Sequence, residues 1–165
     1  MPTIAQAQTP AEVAAVGELI REYTDWASTL DEGDLEAPEF VGIEQELAGL
    51  PGKYAPPNGA LLFATHNGEP VGCVGLRQFD EFSGEVKRLY VRPSARGLGL
   101  GQRLVEAVIA EAYQRGYQRL VLDSHVSMLG SHAIYEAAGF QRMSPPSDFP
   151  EAQRPFIVFM EMALE

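Results

Sequence analysis

Cysteine is almost missing from this chain. Cys73 is the only one in 165 residues, which excludes an intramolecular disulfide, and no Cys/His cluster has the spacing of a zinc site, so no metal is expected. Long apolar runs are absent too, and nothing approaches the roughly 18 residues that a membrane span requires. Met1 to Thr9 contains Pro, Thr and Gln but neither a basic start nor an apolar core, so it does not read as a secretory leader. A cytoplasmic setting is the expectation. Basic residues are scarce, 12 Lys and Arg against 23 Asp and Glu, giving a net charge of -11. That balance argues against a protein that coats nucleic acid or an anionic membrane. What remains is 45% hydrophobic, enough for one domain over residues 1–165. A domain of this size buries roughly 70% of its unfolded surface and needs no covalent staple.

The scarce basic residues are not spread evenly. Met1 to Glu85 holds fifteen acids and three bases, whereas Lys87 to Arg103 holds five bases and no acid. Pro2 to Gln8 is a weakly alternating candidate edge strand. Thr9-Pro10-Ala11-Glu12 has capping-box spacing with Pro at the first helical position, and Val13, Val16, Ile20, Tyr23 and Ala27 follow at helical period. An acidic loop over Asp31 to Glu39 precedes a second stripe, Phe40, Ile43, Leu47 and Leu50, which stops at Gly49, Pro51 and Gly52. Ala60 to Thr65 and Val71 to Phe79 read as antiparallel strands joined at Asn67-Gly68, and Glu85 to Val91 as the third strand of a meander. Pro93 ends it. A helix is expected from Gly99 to Arg115, a buried strand at Leu120 to Leu122, a brief helix from Ser131 to Ala138 capped by Gly139, and a last strand from Phe156 to Leu164.

The basic island coincides with a glycine cluster, Arg96-Gly97-Leu98-Gly99-Leu100-Gly101-Gln102-Arg103, lying between a strand and a helix. Backbone N–H groups at such a turn converge on an anion at the helix N-terminus, where the dipole adds about half a positive charge. Side chains would block the approach. Spacing separates this turn from other phosphate binders. A P-loop needs GxxxxGK, and no Lys follows these glycines; a GxGxxG fingerprint fails because positions 102 and 104 are Gln and Leu.

With Val91-Arg92-Pro93 leading into it, this run resembles the R/Q-x-x-G-x-G/A signature of the GNAT superfamily of N-acetyltransferases. Ile134-Tyr135-Glu136-Ala137-Ala138-Gly139-Phe140 resembles that family's second signature, LYxxxGF. The resemblance extends from about Thr9 to Leu164. It implies a mixed α/β (α+β) fold: a splayed, mostly antiparallel central sheet flanked by helices, in the order β-α-α-β-β-β-α-β-α-β-β. It also implies acetyl-CoA as co-substrate. Amides from Leu98 through Gly99, Leu100, Gly101 and Gln102 to Arg103 would bind the diphosphate, beside Arg96 and Gly97. Backbone groups of Leu89 and Val91 would pair with the pantetheine arm. Tyr135 would protonate the departing thiolate, and Glu85 stands where some members carry a general base. The Asn that the family often places seven residues before the Tyr is here Met128.

The chemistry is coherent in its own terms. A phenol with a reference pKa near 10 can protonate a thiolate whose reference value is roughly 8.5. His125, just beyond a strand end, is a second candidate base. His132 shares a helix face with Tyr135, Cys73 reads as a small core residue, and Arg88 and Arg92 are candidates for the 3'-phosphate of CoA or for a solvated edge. The acidic first half, with Asp31, Glu32, Asp34, Glu36 and Glu39 in one loop, favours a small cationic amine as acceptor. Direct attack in a ternary complex is expected, and a homodimer is a possibility left open by exposed strands near the C-terminus. A CoA-binding sensor or a protein-interaction module on the same fold, without catalysis, is the alternative.

Overall fold

The computed structural model describes residues 2–29 and 42–164. Strand β1 (Thr3–Gln6) leads into helix α1 (Pro10–Ser28), and after the undescribed segment come α2 (Ile43–Ala48), β2 (Ala60–His66), β3 (Glu69–Gln78) and β4 (Ser83–Val91). Helix α3 (Leu100–Gln114), β5 (Arg119–His125), α4 (Leu129–Ala138), β6 (Gln141–Met143) and β7 (Ile157–Ala163) complete the chain. The element order is the one expected. Bounds moved by at most three residues: β1 is shorter than Pro2 to Gln8, and α4 starts at Leu129 instead of Ser131. Phe40 and the acidic loop from Asp31 to Glu39 lie outside the described residues.

Local chemistry sets these elements. Thr9 Oγ1 accepts the Glu12 N–H at 3.1 Å and Glu12 Oε1 accepts the Thr9 N–H at 3.0 Å, closing the capping box that starts α1. Asn67 and Gly68 both have positive φ, 54° and 80°, the geometry of a two-residue turn whose twist matches the strands it joins.

The sheet runs β1-β2-β3-β4-β5-β7-β6, and every pairing is antiparallel except β4 with β5. That parallel pair lasts only from Ser83↔Arg119 to Glu85↔Val121. Beyond it the two strands diverge, and β4 continues to Val91 with one edge unpaired by any strand among the described residues. A bulge sharpens the divergence. The register passes from Cys73↔Tyr90 to Gly75↔Lys87, two residues on β3 against three on β4, and Arg88 takes φ 62° there.

Apolar side chains cover both faces of the sheet. On one, α3 presents Leu104, Val105 and Val108 to Leu62, Val74, Leu76, Val86 and Leu120. On the other, Val16, Leu19 and Ile20 of α1 meet Leu61, Phe63, Cys73 and Tyr90. Both clusters fix β4, and so fix the wedge beside it. No helix among the described residues is long and apolar enough to cross a membrane.

Candidate active site

Helix α3 begins without a capping side chain: its N-cap is Gly99, and no side chain of a described residue caps it. The first amide with a backbone partner is that of Arg103, which donates to Gly99 O at 3.1 Å. The amides of Leu100, Gly101 and Gln102 therefore stand as the uncommitted donors of a 15-residue helix. The glycines differ in what surrounds them. Gly97 and Gly99 have φ of 86° and 75°, and an added Cβ on either would meet nothing within 4 Å. Backbone conformation selects glycine there. At Gly101 a Cβ would lie 2.9 Å from Ile134 Cδ1 of α4, the end of a side chain that can turn aside.

A cleft of about 580 Å³ opens between this turn and the wedge. Its lining includes Leu89, Tyr90 and Val91 of β4, Arg96, Gly97, Gly99, Leu100, Gly101 and Gln102 of the turn, Trp26 of α1 and Ile134 of α4. Arg92 N–H donates back to Val71 O at 2.8 Å, so by strand alternation the backbone groups of Val91 and Leu89 point to the opposite, unpaired edge. Arg96 lies over the Trp26 ring, 5.5 Å from its centroid, and its Nε donates to Val91 O. Leu98 and Arg103 are not part of the lining. Leu98 projects outward, half exposed, and the Arg103 side chain bonds Pro2 O at 3.3 Å while its amide is spent within the helix.

Where β4 and β5 separate, a small cavity of about 20 Å³ adjoins the cleft and shares Tyr23, Leu89, Met128 and Ser131 with it. Tyr135 lines it. The ring is buried and packs edge-on against Phe140, with centroids 5.5 Å apart. Lys87, Asp123 and Ser124 line it as well. The Asp123 side chain makes no hydrogen bond or ion pair with a described residue. Burial pushes its carboxyl above the usual carboxylate range, with Glu85 adding to the rise and Lys87 and Arg88 opposing it. Sequence reasoning passed over Asp123. The available signal was a single acid inside the apolar run of β5, followed by Ser124 and His125.

The basic island turns out to be largely consumed. Arg88 meets neither solvent nor a free phosphate site: it is 6% exposed and grips Glu46 of α2 through Nε at 2.9 Å and Nη2 at 3.1 Å. The bulge turns its side chain toward α2. Arg92 is tied by Glu22 of α1 at 2.8 Å and by Pro70 O at 3.0 Å. Glu85 is buried, and its partner is Arg77 at 2.9 Å. It lies outside both cavities.

His125 is likewise outside both cavities; its Nδ1 lies 2.6 Å from Ser127 Oγ. His132 is buried with Nε2 3.1 Å from Ser124 Oγ, and burial lowers its pKa, keeping it neutral at pH 7. Met128 places sulfur where the family often has an amide, and Tyr23 O–H donates to it at 3.5 Å. Cys73 is a core residue whose thiol burial pushes up to about 12.

Comparison with known proteins gives concordant results. The profile described as the Acetyltransferase (GNAT) family matches residues 18–140. An uncharacterised N-acetyltransferase of Schizosaccharomyces pombe is 32% identical over 98% of this chain and 94% of its own length. An IAA acetyltransferase of Azospirillum brasilense is 33% identical over 99% of this chain and 100% of its own. Among solved structures, a GNAT family acetyltransferase from Elizabethkingia anophelis with acetyl-CoA bound superposes with a TM-score of 0.63 at 21% identity, covering 99% of this chain and 98% of that one.

Proposed function

The chain belongs to the GNAT family of acetyltransferases, and from that premise we propose that it moves the acetyl group of acetyl-CoA to the primary amine of a small acceptor, by direct attack while both are bound. The acceptor arrives as an ammonium, in keeping with the acidic balance of the chain. One observation carries the donor half of this reading: the free amides of Leu100, Gly101 and Gln102 open, uncapped, into the cleft. A diphosphate is the cap that such a terminus lacks. From there the edge of β4 that no described strand covers, at Leu89 and Val91, offers backbone groups to an extended arm as a missing strand would, although Val91 O already accepts from Arg96 Nε. Acetyl-CoA, when bound, supplies an activated acyl group on a thiol leaving group.

The chain's own residues supply the rest. Tyr135, buried beside Leu89, holds a phenolic proton where the departing thiolate needs one. Leu89 and Met128 line the same cavity beside it. Arg96 contributes the only arginine that lines the cleft among the described residues. Glu85, fixed by Arg77, adds negative charge behind the cavity.

Gly99 allows a test that separates charge from shape. Its left-handed φ is tolerated by both Asn and Asp, so Gly99→Asn and Gly99→Asp differ chiefly in one negative charge at the helix N-terminus. By isothermal titration, Gly99→Asp is expected to weaken acetyl-CoA binding at least about tenfold more than Gly99→Asn. Equal affinities for the two would remove the diphosphate from this turn. In the same assay Tyr135→Phe retains donor binding, while acceptor-dependent thiol release falls by about 100-fold to 10,000-fold.

A further inference from the structure

We propose that Asp123 and Lys87 are the two poles of the acceptor site, Asp123 taking the acceptor's ammonium and its proton and Lys87 an anionic group on the same molecule, so that the acceptor class is an aminocarboxylate. The proposal rests on the acetyl-transfer reading above and adds to it the molecule that receives the group.

Both residues line the small cavity that holds Tyr135. Neither makes an ion pair or hydrogen bond with a described residue, whereas the charges around them are committed: Arg88 and Lys53 to Glu46, Arg77 to Glu85, Arg92 to Glu22. Opposite charges that share a cavity without closing to ion-pair distance leave a gap with a sign at each end. The acceptor chemistry follows by elimination. A simple cation would satisfy Asp123 and be repelled by Lys87. An anion without an amine would satisfy Lys87 alone and has nothing to acetylate. A zwitterion satisfies both. Size agrees, because about 20 Å³ holds roughly one water or one ammonium head, leaving the remainder of the acceptor toward the rim where Lys87 is partly exposed.

The groups facing Asp123 are Glu85, Lys87 and Arg88 from β4, Tyr23 from α1 and Tyr135 from α4. Burial raises the carboxyl, which makes it a stronger base than an exposed Asp. Protons and bonds then balance. The Asp123 carboxylate takes one proton from the ammonium, and the neutral nitrogen forms its bond to the thioester carbonyl carbon. As the C–S bond breaks, Tyr135 gives its proton to sulfur and recovers one from the acylated nitrogen. Asp123 releases the remaining proton to water after the product leaves.

The experiment measures thiol release from acetyl-CoA with free amino acids and with the carboxamides of the same amino acids as acceptors, alongside titration of acetyl-CoA binding. For the wild type, kcat/KM is expected to be at least about tenfold higher for an accepted acid than for its amide. Lys87→Met brings that ratio toward one, and Lys87→Glu inverts it. Asp123→Asn lowers turnover by about 100-fold or more and removes the acidic limb of the kcat/KM profile, with acetyl-CoA still bound.

An acid-to-amide ratio near one, or a ratio that ignores Lys87→Met, overturns the acceptor class. Full turnover and an unmoved limb in Asp123→Asn overturn the role of Asp123. If acetyl-CoA binds and no amino acid is acetylated, the acceptor class alone fails; if acetyl-CoA does not bind, the acetyl-transfer reading itself fails.

Discussion

Glu46 and Asp123 are both largely buried carboxylates near Arg88, and the fold treats them in opposite ways. Burial alone would raise the Glu46 carboxyl, but hydrogen bonds and charge from Arg88 and Lys53 outweigh it and hold it at about 2. Asp123 feels the same arginine only at a distance, and burial prevails. The first carboxylate is spent on architecture. Its fork with Arg88 anchors α2 to the bulge of β4, the kink beyond which Leu89 and Val91 present their backbone to the cleft. The second is left without a protein partner among the described residues, at the mouth of the wedge. An ionisable group kept charged-capable in a low-dielectric cavity without a partner weakens the fold, and such groups concentrate where chemistry needs them.

Removing the satisfied member has the largest expected effect. Glu46→Gln replaces the carboxylate that faces Arg88, whose side chain is 3% exposed, by a neutral amide, which costs about 3–5 kcal/mol in urea unfolding at pH 7. The sign with pH follows from the lowered pKa. The stability that Glu46 contributes is fully present above its unfolded value near 4.5 and is lost as pH falls toward about 2. The variant's stability is therefore flatter than the wild type's across that window. A loss under about 1 kcal/mol would mean that the pair is not an anchor and that the comparison fails on its structural side.

Asp123→Asn runs the other way. Its raised pKa means that the ionised form disfavours the fold, so the variant is expected to gain about 1 kcal/mol at neutral pH while losing activity. The gap opens as pH rises: it is smallest below the ordinary value of 3.8 and complete above the raised one. Thermal unfolding at pH 4 and pH 7 reads it directly. Destabilisation by Asp123→Asn at pH 7 would show that the carboxylate is structural, like Glu46.

Local signals in the sequence proved reliable wherever the chemistry is local. The capping box at Thr9, the Asn67-Gly68 turn and the glycine run before α3 all depend on neighbours within four residues, and each was legible. The ties that shape the site are not local. Arg88 reaches Glu46 across 42 residues, and Arg92 reaches Glu22 across 70, so a run that reads as a free basic island becomes mostly neutralised scaffold. The bulge was hidden because it is a mismatch between two strands. Asp123 was hidden because its unpaired state depends on how β4 and β5 diverge, which no spacing along β5 encodes. Gly101 was legible as a glycine of the turn before α3, but its neighbour across the turn, Ile134 of α4, was not.

Glu85 tests the comparison at its narrowest point, because it is intermediate between the two extremes. It is buried like both, and it has a partner like Glu46, but that partner, Arg77, has a side chain 34% exposed and is open to solvent. Water can therefore satisfy Arg77 when the carboxylate is removed, and Glu85→Gln is expected to lose no more than about 1 kcal/mol. Its effect on chemistry should be small as well. A carboxylate accepting the Arg77 bond at 2.9 Å, outside the cavity that holds Tyr135, is poorly placed to take a proton there. The neutral glutamine does remove a negative charge that raises the Asp123 carboxyl. The acidic limb of kcat/KM should thus survive in Glu85→Gln and move slightly to lower pH. A limb abolished by Glu85→Gln and retained in Asp123→Asn would transfer the base to Glu85 and reverse the division between paired scaffold and unpaired reactant.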